Sequence, residues 1–233
     1  RDPYFWGIQF MQETSKALGT EIIRDWFEPT VLPRGVQEQC RTCDTAWTKK
    51  KTDNQDPDYF GSVGSAMANG WLCLIDPYME RLPMPDAVNW IQNRKKLTPY
   101  VRFGMAKAAG ETIAKQFLSV LGIPIEDLQA ETTDIRTRLV PFISYASRGL
   151  VKIVFTDDEY AAWKQDKSRV PARWETFLNQ CAKFPRGHDD LLACCAGLTQ
   201  MHGLVIELPQ ERSTPKSRVP SFSEMSRKYR VIR

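Results

Sequence analysis

The chain has 233 residues, 42% hydrophobic and 26% charged, with a formal net charge of +4. This fits one ordinary globular domain with enough interior for a central sheet. No stretch is apolar for long enough to span a bilayer or serve as a signal, and no Gly-x-x-x-x-Gly-Lys-Ser/Thr phosphate loop occurs, so neither membrane insertion nor ATP hydrolysis by this chain is expected.

Alternating and β-branched residues from Val36 end at a lone acid, Asp44, and predict a strand. The polar run from Lys49 to Asp58 predicts a turn-rich connection, followed by a second strand from Tyr59 to Met67. Asn69-Gly70 is a type I′ turn signal, and a third strand follows from Trp71 to Pro77. Pro85 to Lys96 reads as a helix after a Pro-rich bend, and Tyr100 to Phe103 as a short buried strand. A helix over Gly110 to Leu121 carries Ile113, Phe117, Leu118 and Leu121 on one face. Asp134 to Ser147 repeats Ile135, Leu139, Phe142 and Ile143 at helical spacing, with Gly149 as a stop signal. A strand at Leu150 to Phe155 follows, then helices at Asp157 to Lys167 and Pro171 to Ala182, the second with Pro at its start. A last helix opens at Asp189-Asp190 and runs into Leu191 to Leu198. An antiparallel meander followed by strand, helix, strand and helix predicts an α/β fold, a mixed sheet with helices on both faces. With an acid on the first strand and further acids on a late helix, this is the ribonuclease H-like plan. No internal repeat and no second domain are visible.

Two adjacent carboxylates opening an apolar helix are costly unless a cation sits against them, and a divalent metal satisfies such a pair better than one lysine. Asp is also favoured at a helix N-cap by hydrogen bonding and the helix dipole, and from the pair alone both accounts stand. His188, just ahead of it, is a candidate to orient a carboxylate or touch DNA, or a hydrogen-bonded structural histidine. Of the six cysteines, Cys40 and Cys43 form a C-x-x-C, but no second pair at ligand spacing accompanies them. Reduced, buried thiols are expected in place of zinc or disulfides.

Cys43-Asp44-Thr45-Ala46, Asp56-Pro57-Asp58-Tyr59, Ala109-Gly110, Asp134 to Arg138 and Phe184 to Asp190 occur in an order that resembles the nuclease domain of tailed-bacteriophage DNA-packaging terminase large subunits. The opening, Phe5 to Phe10 and on through Ile23 to Phe27, resembles that family's segment between packaging ATPase and nuclease. The resemblance implies residues 1–35 as a linker from an ATPase that is not in this chain, 36–205 as the nuclease domain, and 206–233 as a basic C-terminal tail. It also implies an excised fragment. The implied activity is metal-dependent endonucleolytic cleavage of concatemeric viral double-stranded DNA during genome packaging, in the host cytoplasm, with the terminase small subunit and portal ring as partners. The alternatives are a ribonuclease H-like junction or repair nuclease, and a catalytically weak DNA-binding or portal-docking module.

Such a site works through two divalent cations about 3.5–4 Å apart, one activating water and the other steadying the leaving 3′ oxygen. Mg2+ and Mn2+ are hard cations and take carboxylate oxygens. Asp44 is expected to bridge both ions, Asp189 to close the site from the last helix, and Asp190 to help or to cap. The family carries another acid about five residues ahead of the glycine of Ala109-Gly110, where this chain has Met105. A thioether is a poor substitute, so one metal is expected to bind weakly and cleavage to be slow or lost. Glu111 and Asp58 are weak candidates to supply the missing carboxylate.

Candidate phosphate contacts are Lys49, Lys50, Lys51, Lys107, Arg136, Arg138 and Arg186, with Lys183 also near a motif; the lysine run reads equally as a solvated hairpin. Residues 211–233 hold seven Lys or Arg against two Glu, a net of +5, which leaves −1 for the rest of the chain. This arm could hold DNA phosphates or an acidic partner, or only keep the chain in solution.

Overall fold

A computed structural model describes residues 22–44, 59–105, 109–128 and 134–204, with the backbone alone described at 109–113. The described residues form seven strands: β1 Glu28–Val31, β2 Cys40–Asp44, β3 Phe60–Ala68, β4 Trp71–Glu80, β5 Arg102–Met105, β6 Ile125–Asp127 and β7 Val151–Phe155. The described helices are α1 Met84–Leu97, α2 Ala109–Val120, α3 Ile135–Ser147, α4 Asp157–Gln165, α5 Ala172–Lys183 and α6 Asp190–Met201. The strands form one sheet in the order β1-β7-β4-β3-β2-β5-β6. β3 pairs antiparallel with β2 and β4, and every other pairing is parallel. Six strands therefore run one way, and their carboxyl ends share one edge with the start of β3. This is the expected mixed sheet with a central meander, the ribonuclease H-like fold.

Local chemistry accounts for the elements. Asn69 and Gly70 take positive φ, 53° and 79°, as a type I′ hairpin requires. α4 starts with a capping box, Thr156 accepting from the Glu159 backbone N–H while the Glu159 carboxylate takes the Thr156 N–H. Pro171 stands at the N-cap of α5, and the Trp174 indole N–H on that helix donates to the Val154 carbonyl of β7 at 3.0 Å.

The sheet carries a core on each face. One, under α3, α5 and α6, includes Phe27, Phe142, Trp174, Phe177, Leu191 and Leu198; the other, under α1 and α2, includes Cys43, Ile91, Phe103, Met105 and Leu118. Arg41, wholly buried in β2, pairs with Glu38 at 2.5 Å, and Glu38 also accepts from Arg94 of α1 at 3.2 Å. Gly64 makes room for this pair: a Cβ there would stand 2.4 Å from Glu38 Oε1.

Three expectations shift. The strand expected at 100–103 lies two residues on, at Arg102–Met105. Two short outer strands, β1 and β6, escape the sequence pattern, and β2 is consequently the second strand in the chain. Residues 22–35, expected within a linker, instead contribute β1 and the buried side chains of Ile22 and Phe27. Phe27 stacks on Phe142 at 6.0 Å between ring centres, so this stretch belongs to the core. Residues 1–21 and 205–233, and with them the expected basic tail, lie outside the described residues.

Candidate active site

Asp44 ends β2 at the carboxyl edge of the sheet, half-buried. Alternation along the strand fixes its side. Cys43 points into the α1/α2 core, while the Thr42 hydroxyl donates to the Cys194 carbonyl of α6 at 2.8 Å. Asp44 therefore shares the α6 face with Thr42. The Cys194 thiol agrees: burial pushes it far above its usual range, and the charge of Asp44 adds to the shift.

Across the ladder Asp44 pairs with Gly61 of β3, whose lack of a side chain lets α6 approach. A Cβ on Gly61 would stand 3.1 Å from both the carbonyl carbon and oxygen of Asp190 and 3.2 Å from its Cβ. The first turn of α6 is thus brought onto the strand pair that carries Asp44. Asp190 is 6% exposed, accepts from the Tyr59 backbone N–H through Oδ1 at 3.3 Å, and leaves Oδ2 buried without a hydrogen-bond partner among the described residues. Burial raises the pKa of its carboxyl; the backbone N–H groups of Asp190 and Tyr59, then His188, pull the other way, and Asp189 adds to the rise. His188 Nδ1 lies 3.9 Å from Oδ2.

The adjacent acid behaves differently. Asp189 is the N-cap residue of α6 but makes no capping hydrogen bond through its side chain. Gln180 of α5 performs that service, accepting from the Leu191 N–H at 3.0 Å. Of the pair, Asp190 is buried and Asp189 half-buried, and the helix begins at Asp190, one residue after the acidic pair starts. Among the described residues no group of three or more His, Cys, Asp or Glu stands where it could hold a metal ion.

Met105 is fully buried in the α1/α2 core and pairs with Cys43 across β2 and β5. It shares the face of Cys43 and so points away from the face that carries Asp44 and the start of α6. The β5 residue beside Met105 on the α6 face is Gly104, where a Cβ would meet Met201 Sδ at 2.7 Å. Glu111 lies in the first turn of α2, where the backbone alone is described, and Asp58, Lys49, Lys50, Lys51 and Lys107 fall outside the described residues.

Arg136 and Arg138 sit in the first turn of α3. That helix ends just before the start of β7, at the amino edge of the parallel strands, so its first turn lies toward the carboxyl edge. Arg186 is exposed in the connection between α5 and α6, which also contains a cis Phe184–Pro185 bond. Lys183 is the last residue of α5. All six cysteines are buried and unbridged; Cys40 and Cys43 point into opposite cores and cannot share a metal. Gly61, Gln180 and Arg81 are residues near the acids that no sequence motif announced. The pairing of β3 with β2 and β4 gives Gly61 and Arg81 their places, and the packing of α5 beside the start of α6 gives Gln180 its own.

No family model and no curated protein matches the sequence. Among solved structures, the ribonuclease H-like architecture corresponds to that of large terminase nuclease domains. The nuclease of the thermophilic phage G20c large terminase aligns at 14% identity and a TM-score of 0.50 over 76% of this chain and 95% of that one. Its magnesium-bound form aligns at 15% identity and 0.50 over 76% and 94%, and the human cytomegalovirus terminase nuclease domain at 14% and 0.50 over 76% and 92%. The chain thus shares the fold of terminase nucleases from a phage and a herpesvirus. No described helix is long and apolar enough to cross a membrane.

Proposed function

We propose that this chain is a metal-dependent nuclease domain that cuts viral double-stranded DNA during genome packaging. The observation that carries the reading is the convergence of Asp44 and Asp190 across Gly61, with a buried carboxylate oxygen that has no hydrogen-bond partner among the described residues. An uncompensated carboxylate costs about 1–3 kcal/mol, and such a cost is retained where a cation completes the site. Two carboxylates offer the oxygen donors that Mg2+ and Mn2+ prefer, so the residues fit a hard divalent cation and do not fit a thiophilic one. When bound, such ions supply Lewis acidity and an activated water.

The chain's own groups have distinct parts. Asp44 and Asp190 would hold the cations, with Asp189 as an outer partner. Tyr59 holds Asp190 in place through its N–H. Arg136, Arg138 and Arg186 supply cations for DNA phosphates at the same edge, contacts that are independent of base sequence. Residues 1–21, residues 205–233, a terminase small subunit, a portal ring and the host cytoplasm belong to the same reading, supported by the ordered sequence motifs and by the terminase nucleases that share the fold. A second reading, a DNA-binding or docking module with weak catalysis, is favoured by the absence of a three-ligand group among the described residues.

Nicking of supercoiled plasmid in Mn2+ separates the two. The nuclease reading expects cleavage that EDTA abolishes and that Asp44→Ala and Asp190→Asn each reduce by at least about a hundredfold, the upper end of what losing even an outer partner of a metal ligand costs. Cleavage by Asp44→Ala at the wild-type rate overturns it.

A further inference from the structure

We infer that Arg81 and Tyr59 form a phosphate clamp beside the acids, gripping the nucleic-acid backbone next to the bond to be cut. The inference rests on the nuclease reading for its location, though not for its chemistry. Phe60 pairs with Glu80, so Tyr59 and Arg81 flank the open end of the β3–β4 hairpin. There the Arg81 guanidinium lies over the Tyr59 ring, 4.7 Å from its centre. Tyr59 is itself fixed twice: its backbone N–H donates to Asp190 Oδ1 at 3.3 Å, and the His188 ring meets it edge-on at 5.0 Å. One exposed cation is thereby tethered to the buried carboxylate through a single residue.

A guanidinium is planar, and stacking on a ring fixes the orientation of the N–H fork that phosphate oxygens accept two at a time. Stacking also reduces the rotamer freedom that a long side chain loses on binding, so less is lost per contact formed. Placement beside Asp190 matters as well. A site lined by carboxylates repels the phosphodiester, and a fixed cation at its rim offsets that repulsion without occupying the ligand positions.

The test is duplex binding by the full chain, followed by anisotropy of a fluorescein-labelled DNA duplex in Ca2+ over a series of salt concentrations. Arg81→Ala should weaken binding several-fold and flatten the plot of log affinity against log salt by about 0.9, the loss of one phosphate contact. Arg81→Lys should restore the slope, since a lysine neutralises the same phosphate, but not the full affinity, since it cannot bond in bidentate fashion. Tyr59→Leu keeps the backbone N–H and removes the ring, and should weaken binding in the same direction; combined with Arg81→Ala it should add little. Because Arg81 is exposed, its replacement should leave the thermal midpoint in place. An Arg81→Ala variant with wild-type affinity and slope overturns the clamp, and so does one that shifts only Mn2+ affinity. The nuclease reading fails separately: if the wild type cuts nothing in Mn2+ yet Arg81→Ala flattens the salt slope, the clamp stands on a binding module.

Discussion

Asp190 rests on Gly61. The place that a side chain on Gly61 would take is 3.1 Å from the Asp190 carbonyl group, so the glycine sets how closely α6 approaches the strand pair bearing Asp44. The carboxyl edge of β2 and the start of α6 thus form one unit, whose spacing is fixed by the missing methyl.

Gly61→Ala should therefore push the first turn of α6 outward by a few tenths of an ångström. Overpacking of this kind costs about 1–3 kcal/mol, and the separation of the two carboxylates changes with it. Thermal unfolding should show a modest loss of stability, and Mn2+ titration calorimetry a disproportionate loss of affinity. Unchanged Mn2+ binding would mean that the spacing is not set here.

Asp190→Asn should stabilise the metal-free protein at neutral pH by about 1–3 kcal/mol while abolishing cleavage, because it removes a buried charge whose Oδ2 has no hydrogen-bond partner among the described residues. The sign follows from the raised carboxyl pKa. The folded state holds its proton more tightly than the unfolded chain, so wild-type stability falls as pH rises from the ordinary carboxylate value through the raised one. Unfolding in EDTA across that range should show the fall in the wild type and not in the Asn variant. Adding Mn2+ should raise the melting temperature of the wild type alone.

Met105→Glu should not create activity. The side chain at 105 lies among Phe103, Ala114 and Leu118, and a carboxylate there would enter an apolar layer on the face away from Asp190. A loss of about 3 kcal/mol or more is expected by urea unfolding, with no gain in Mn2+-dependent nicking. A gain in nicking would show that β5 presents residue 105 to the acids.

Glu38→Ala should cost about 3–5 kcal/mol, because it leaves Arg41 buried without its carboxylate. Replacing both partners with apolar residues should recover much of the loss, a contrast that urea unfolding of the single and double variants measures.

Sequence patterning located the helices to within a residue or two and set Asp44 at the end of its strand, since periodicity and turn chemistry act locally. The type I′ turn at Asn69-Gly70 belongs to that local class. Face and register do not. Whether Met105 points at Asp44 or away depends on the pairing of β5 with β2, which neither strand encodes alone. Which of Asp189 and Asp190 turns inward depends on where α6 begins, and Gln180 from another helix takes part in that start. β1 and β6 are too short to show alternation, and β1 contains Pro29, tolerated on an outer strand. Gly61 and Arg81 carry no motif and acquire their places only when the meander closes.

The position of β1 has a consequence for the order of events during synthesis. Its partner is β7, and the Lys152 ammonium reaches the Glu28 carboxylate at 2.6 Å across 124 residues of chain. That outer seam cannot zip until the chain through β7 has left the ribosome, whereas the β3–β4 hairpin can form within its own short stretch. Closure of so long a loop places the seam among the late, slow steps of folding.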